Sequence, residues 1–360
     1  MTGGFYITFE FDEIREFIQI VIQKKRDALG GVIAILIGLF GNLPFIFKVF
    51  LILIVTFLLV GIFQEAMKIQ KTYKEKHVPI VIVAGRKYDG FSSTISSVLE
   101  VMNEYRFDEK SYLEDFDLSR EDWTIFREGD LPQNSQEWEK VVHTFETKIN
   151  RVSEKLKGRK VFHIFLNCPA ILAMGMGAIV GTKCEVILHH YAPGAGKVSY
   201  HPLIDFYSMC EFSTEGLHTL KSRVNPPYEY IYTEGHISES ASLWISIFLA
   251  GHDPKGDVEK VVEKLPNPVS VIHLRSKMEG TIPLDANWIQ ITKEVATELL
   301  NVVSKKEVQD VTICLSSPLI IAFALGMAVG TQSPITLKSW FSNSNEYHSV
   351  LCLNKLRDSH

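Results

Sequence analysis

One stretch of this chain is written twice, and few folds permit that. Residues 166–182 read Leu-Asn-Cys-Pro-Ala-Ile-Leu-Ala-Met-Gly-Met-Gly-Ala-Ile-Val-Gly-Thr, and residues 315–331 read Leu-Ser-Ser-Pro-Leu-Ile-Ile-Ala-Phe-Ala-Leu-Gly-Met-Ala-Val-Gly-Thr. At a constant offset of 149, the separation of Pro169 and Pro318, the residues Leu, Pro, Ile, Ala, Gly, Val, Gly and Thr all recur. A proline, a glycine and a Gly-Thr ending in register mark an internal duplication. The first copy follows Val161–Phe165, an apolar run that reads as a buried strand. Cys168 stands where a helix N-cap would, and Pro169 at the first helical position, where a missing N–H costs nothing. The helix that follows is apolar nearly all round, so it is expected to be buried, and Gly181 stops it.

A second pair of units repeats at a different spacing. Pro79–Gly85 reads as a strand and Ser92–Tyr105 as a helix; Trp244–Gly251 reads as a strand with a helix from about Asp257. Ala84-Gly85 and Gly90 match Ala250-Gly251 and Gly256 at an offset of 166. Two similar α/β half-domains follow, each with a mostly parallel sheet. Further strands are expected at Thr124–Phe126, Cys184–His189, Val269–Leu274, Val311–Leu315, Ile335–Lys338 and Ser349–Leu353. The first copy is the longer, and its surplus is placed in Arg106–Asp130 as an acidic surface elaboration.

The N-terminal part has another composition. Phe11, Ile14, Ile18, Val21 and Ile22 share one helical face of residues 1–28, opposite Asp12, Glu13, Arg15, Glu16 and Gln19. Such a helix lies on a membrane surface or packs on a neighbour. From Leu29 to Phe63 the sole ionisable residue is Lys48. One straight helix of that length would reach roughly 50 Å, well beyond a hydrocarbon core of ~30 Å. Gly41-Asn42-Leu43-Pro44 carries turn chemistry, so 29–64 reads as a two-span transmembrane hairpin, with spans of about 29–43 and 46–64. Lys24, Lys25 and Arg26 before it, and Lys68, Lys71, Lys74 and Lys76 after it, place both ends in the cytoplasm of a multi-pass membrane protein. Residues 65–77 read as a charged helical linker, 78–235 as the first half-domain and 236–360 as the second.

The formal net charge of −5 argues against a duplex nucleic-acid partner, which calls for a strongly basic domain. The five cysteines have no CxxC spacing, so neither a zinc site nor a disulfide framework is indicated, and no cofactor is expected. Ligands of parallel sheets bind beyond the carboxyl ends of the strands, where helix N-termini point. That rule selects Arg86, Lys87 and Tyr88; Asn167 and Cys168; His189 and Tyr191; His252 and Lys255; Arg275; Ser316 and Ser317; and Lys338 with Trp340. Cations or free N–H donors beside aromatic rings suit phosphates and bases. Gly175-Met176-Gly177 with Gly181 lacks dinucleotide-fingerprint spacing and reads as close helix–sheet packing. Gly194-Ala195-Gly196-Lys197 lacks the first Gly and the Ser/Thr of a phosphate loop. His189-His190 has no third metal ligand at a telling spacing, and no catalytic constellation assembles from local signals.

Two strand–[small/polar]-Pro–apolar helix–Gly-Thr units behind a membrane hairpin resemble a SAVED domain fused to two transmembrane helices. The resemblance covers roughly 78–356 and rests on His163–Thr182 with His189–Tyr191, on Val81–Gly85 and on Ile313–Thr331. It implies two fused CARF-type, Rossmann-like units that sense a cyclic di- or trinucleotide in anti-phage defence of the CBASS type. It implies an effector and not an enzyme: a partner synthase makes the ligand, the subunits self-associate on binding it, and the hairpins breach the lipid bilayer. Alternatives are a membrane-tethered nucleotide-processing enzyme, a cyclic oligoadenylate receptor of a type III CRISPR system, and a small-molecule receptor unrelated to defence.

Overall fold

The computed structural model describes residues 75–86, 88–156, 158–194, 199–207, 222–236, 242–305 and 308–357, with the single positions 44, 61 and 220. The chain divides into two compact units, Met1–Tyr73 and Lys74–His360. Segment 1–28, the hairpin 29–64 and the start of the linker lie outside the described residues. Among the described residues no helix is long and apolar enough to cross a membrane. The expectation of a multi-pass inner-membrane protein is corrected accordingly. The two helices that are apolar all round, Ala170–Val180 (α5) and Leu319–Val329 (α8), have 11 residues each. At ~1.5 Å per residue they reach about 16 Å, half a hydrocarbon core. They are apolar because protein covers them on every side, with Leu172, Ala173, Phe323 and Ala324 fully buried.

The unit Lys74–His360 holds two sheets. The first has the order β2-β1-β3-β4-β5, from Glu75–Arg86 (β1), Thr124–Glu128 (β2), Arg159–Asn167 (β3), Glu185–Tyr191 (β4) and Tyr200–Asp205 (β5). The second contains Ile231–His236 (β6), Ser242–Phe248 (β7), Ser270–Ser276 (β8), Asp310–Ser316 (β9), Ile335–Phe341 (β10) and Glu346–Cys352 (β11), ordered β11-β10-β9-β7-β8-β6. Strand for strand the two orders match: β8-β7-β9-β10-β11 repeats β2-β1-β3-β4-β5. In both, the first four strands are parallel and the fifth is antiparallel. The antiparallel β6 is an addition at the edge of the second sheet. The expected division at 235/236 falls inside β6, so the second half takes in that strand. Likewise the expected helical linker gives way at Glu75, where β1 starts, because Glu75–His77 pair with Arg159–Val161.

The offset of 149 holds beyond the helices. Phe162 pairs with Val186 in the first sheet and Val311 with Ile335 in the second, so His189 corresponds to Lys338 and Tyr191 to Trp340. The offset of 166 needs a correction. Val83 lies opposite Asn167 and Phe248 opposite Ser316, which makes the strand offset 165. One extra residue precedes Gly251, and both Gly85 and Gly251 have positive φ, 82° and 88°.

The remaining helices are Tyr88–Met102 (α1), Glu109–Phe116 (α2), Arg120–Trp123 (α3), Ser135–Lys155 (α4), Lys255–Val262 (α6) and Trp288–Val303 (α7). The stretch Arg106–Asp130 is no surface elaboration: Phe107, Tyr112, Leu118, Trp123 and Ile125 are in the core. Its acidic residues cap and brace instead. Asp108 caps α2, and Asp122 sits 2.7 Å from Arg151 and 3.0 Å from Lys155.

One continuous core runs through both halves, and the crossing of α5 and α8 is its centre. A Cβ on Gly177 would lie 1.9 Å from the Phe323 carbonyl oxygen, and one on Gly326 would lie 2.0 Å from that of Met174. The pairs Gly177/Gly326 and Met174/Phe323 are themselves 149 apart, so the contact is a pseudo-twofold. The close packing expected of Gly177 is therefore against the sister helix. Gly175 instead faces Leu351 of β11 and Val142 of α4.

Candidate functional site: a composite crevice on the pseudo-twofold

Both sister helices start where a parallel strand ends, α5 after β3 and α8 after β9. Pro169 and Pro318 stand at their N-caps with extended ψ angles of 142° and 140°. The leading N–H groups of each helix have no acceptor within it, the bonds to the cap carbonyls beginning at Leu172 and Ala322, and the positive ends of both helix dipoles coincide with them. Three cavities open at this edge. The first, of about 580 Å³, is lined by Ala84, Gly85, Asn167, Cys168 and Pro169 of the first half, and by Ser339, Trp340 and Phe341 of the second. A smaller one, of about 360 Å³, is its counterpart, with Ala250, Gly251, Ser316, Ser317 and Pro318, and with His190 from the first half. Between them lies a cavity of about 570 Å³, bounded by Ser93, Thr94 and Ser97 of α1, by Asn167, His189, His190, Tyr191 and Tyr200, and by Ser317–Ile320. Asn167 is common to the first and the central cavity; His190, Ser317 and Pro318 join the central one to the third. The three adjoin as one composite crevice, to which each half contributes walls of the other's cavity.

Seven of the residues singled out in the sequence line this crevice: Asn167, Cys168, His189, Tyr191, Ser316, Ser317 and Trp340. Tyr191 is half exposed and its ring meets Tyr200 at 5.1 Å; Trp340 meets His252 at 5.8 Å and Tyr347 at 5.1 Å. Both rings offer flat surface for a base. Burial pushes the Cys168 thiol up to about 12, so it is no thiolate nucleophile. The two hydroxyls point into the protein: Ser316 Oγ donates to the Ala250 carbonyl at 2.7 Å and Ser317 Oγ to that of Pro318 at 3.0 Å.

Four of the expected cations stand apart from the cavity walls and have other partners. Lys255 pairs with Glu234 at 2.5 Å, Arg275 with Asp253 at 2.7 Å and His252 with Asp257 at 2.7 Å. Lys338 sits 4.7 Å from the Trp244 ring centroid, and burial lowers its pKa. Arg86 closes β1 and Tyr88 opens α1, but their side chains, and Lys87 altogether, lie outside the described residues.

Sequence reasoning left three groups without a role. His190, weighed only with His189 as a metal pair, bridges two cavities and meets Trp288 at a tilt, centroids 4.8 Å apart. The hydroxyl face of α1 was announced by Ser92-Ser93-Thr94 and Ser96-Ser97. The third group is a row of buried histidines under α1. His77 Nδ1 lies 2.9 Å from His163 Nε2, and His163 Nδ1 lies 2.9 Å from His189 Nε2. His189 stacks on Phe165, centroids 4.3 Å apart, and His163 meets Tyr105 at a tilt of 60° with centroids 4.1 Å apart. Burial holds His163 well below its ordinary value and takes His189 to about 3, so both rings are neutral. The described residues contain no group of three or more that could hold a metal ion. Ser246 Oγ lies 2.6 Å from His273 Nδ1, with Glu259 3.5 Å from Nε2. That Ser–His–Glu group spans β7, β8 and α6, and unlike His189 none of its members lines the cavities of the crevice.

No family model matches the chain and no curated protein is similar to it. Among solved structures it is similar to Cap4 SAVED/CARF-domain containing receptors. That of Acinetobacter baumannii, solved with the cyclic trinucleotide 3′3′3′-cAAA, shares 11% identity over 76% of this chain and 51% of that one, with a TM-score of 0.48. The same receptor with 2′3′3′-cAAA gives a TM-score of 0.45 at the same identity and coverage. The Moraxella osloensis receptor shares 11% identity over 81% of this chain and 53% of that one, with a TM-score of 0.43. The chain spans about half the length of these receptors. At such identity and scores the likeness assigns no residue of this chain a role, and the crevice stands on its own geometry.

Proposed function

We propose that the chain is a sensor that takes a cyclic oligonucleotide into the composite crevice and self-associates on binding it. The observation that carries this reading is the pair of pseudo-twofold-related helix N-termini opening on adjoining cavities that also hold Tyr191 and Trp340. N-terminal N–H groups suit phosphodiester oxygens, aromatic rings suit bases, and the combined cavities have room for a ligand with more than one of each. Lys255 and Arg275 are paired with carboxylates and His252 is hydrogen-bonded to Asp257, which leaves the backbone amides as the main anion donors of the described walls. Two of the segments that carry the resemblance to SAVED domains, His163–Thr182 and Ile313–Thr331, supply both N-termini. In this reading the ligand comes from a separate cyclic nucleotide synthase and leaves the crevice unchanged. No membrane step is part of it.

The test is calorimetric titration of the full chain with a panel of 3′,5′- and 2′,5′-linked cyclic di- and trinucleotides, with light scattering to follow association. Uptake of at least one of them with a rise in molecular mass is expected. A folded protein that takes up none overturns the reading. Linear products after incubation would replace the sensor with a hydrolase.

A further inference from the structure

The histidine row ends in an anomaly. His189 Nδ1 is buried and has no hydrogen-bond partner among the described residues, although His189 lines the central cavity. Buried polar atoms in folded proteins nearly always have a partner, and one that lacks it needs a reason. The other two rings of the row show what this nitrogen does. A neutral imidazole carries one N–H and one bare nitrogen, so each ring in the row donates on one side and accepts on the other. The row therefore has two states, and all three rings must share one of them. Either every ring carries its proton on Nδ1, and His189 presents an orphaned N–H, or every ring carries it on Nε2, and His189 presents a bare acceptor.

Two arguments choose between the states. At the far end, His77 spends Nδ1 on His163, which leaves Nε2 for its other neighbours. Glu75 and Asp205 act on His77 more strongly than the opposing Arg159 does. Negative charge favours an N–H on the side that is free, hence Nε2–H on His77 and on every ring after it. At the near end, an orphaned N–H is rarer in folded proteins than an acceptor short of a donor. Both ends select the same state.

We infer that His189 presents a bare Nδ1 acceptor to the crevice and reads a hydrogen-bond donor, such as the exocyclic amine of an adenine, on the bound nucleotide. His163 and His77 are positioning residues that fix its tautomer from β1, where Glu75 is in turn held by Arg159 at 3.0 Å and by the Tyr207 hydroxyl. The crevice discriminates by a proton whose place is set at the opposite end of the sheet. This rests on the reading that the crevice takes a cyclic oligonucleotide.

The experiment has two arms on the full chain. Nitrogen-15 spectra of histidine-labelled, ligand-free protein report each ring's tautomer, and His77, His163 and His189 are expected as Nε2–H. Glu75→Gln with Asp205→Asn should shift that signature toward a mixture, which a purely structural role would not do. Nδ1–H on His189 in the wild type overturns the inference. In the second arm, affinity is compared for cyclic triadenylate and the cyclic trinucleotide of unsubstituted purine, which differ by the exocyclic amine alone. The amine should win by roughly ten- to a hundredfold, the range for an unpaired buried partner. His189→Phe should erase the difference, and the spectra stand if that variant fails to fold. Equal affinity in the wild type overturns the inference alone. Failure of both ligands, and of every other cyclic oligonucleotide, overturns it together with the reading of the crevice.

Discussion

The two halves share strand order, register and sister helices, yet they fill equivalent positions with different chemistry. Where the first half has His189, the second has Lys338; Tyr191 answers to Trp340, Asn167 to Ser316 and Cys168 to Ser317. Under α1 the first half settles its buried polar groups by a row of neutral rings. The second settles Lys338 against the Trp244 ring and secures its loop edge by ion pairs at Asp253, Lys255 and Arg275. A duplication fixes backbone geometry twice, because a glycine crossing tolerates one spacing. It leaves the side chains on the crevice wall free to diverge. The scaffold is thus symmetric and the reading surface is not.

The strongest test of the symmetric part is at the crossing. Gly177→Ala and Gly326→Ala each drive a Cβ into a carbonyl oxygen that no rotamer change can move. Each should destabilise by about 3 kcal/mol or more, read as a loss of denaturation midpoint. The two losses should be similar; a tolerated alanine at one site would show that the crossing is not two-fold.

The asymmetric part is tested next by the rings. Tyr191→Ala and Trp340→Ala should each weaken a cyclic oligonucleotide by about 1–3 kcal/mol, the usual worth of one stacked base. Titration calorimetry measures it, with the melting temperature as a folding control. Trp340, held between His252 and Tyr347, is already ordered and should show the larger loss. An unchanged affinity in both removes the stacking surface from the site.

The smallest effect separates His189 from Lys338 by acid. His163 and His189 have folded values below the unfolded one, chiefly through burial. Their contribution is therefore intact above about pH 6.5 and declines as the pH falls toward the folded values, by about 1.4 kcal/mol per pH unit for each ring. His189→Phe should flatten the fall in stability between about pH 6.5 and 5, and Lys338→Met should leave its slope unchanged. Equal slopes in wild type and His189→Phe would mean that the ring is protonated in the fold.

Much of the architecture could be read from the chain because repetition is a local signal. The Pro–apolar helix–Gly-Thr sentence located both helix N-termini, and with them Asn167, Cys168, Ser316 and Ser317. Strands β5 and β6 escaped because Tyr200–Asp205 and Ile231–His236 contain Pro202, Gly235 and few adjacent apolar residues, and their pairing partners are distant in sequence. The ion pairs of Arg275 and Lys255 escaped for the same reason: nothing near Arg275 announces Asp253, or near Lys255, Glu234. The histidine row spans separations of 86 and 26 residues. Its one local hint was His163, a lone polar residue inside Val161–Phe165. The hairpin expectation rested on the length of an apolar run, on turn chemistry and on flanking charge; an apolar run equally describes helices sandwiched between protein layers, as α5 and α8 are.

The glycine crossing has a consequence for the size of what the crevice accepts. Helices that touch backbone to backbone can neither approach nor, without opening a void in the core, separate. Their two N-termini are therefore held at a set separation, like the jaws of a locked caliper. Two phosphates on one ring can reach both only if the ring has the matching span. If the crevice takes a cyclic oligonucleotide as proposed, a smaller or larger macrocycle would be refused without any side chain touching it, and the measurement would be made by two hydrogen atoms, one on each glycine.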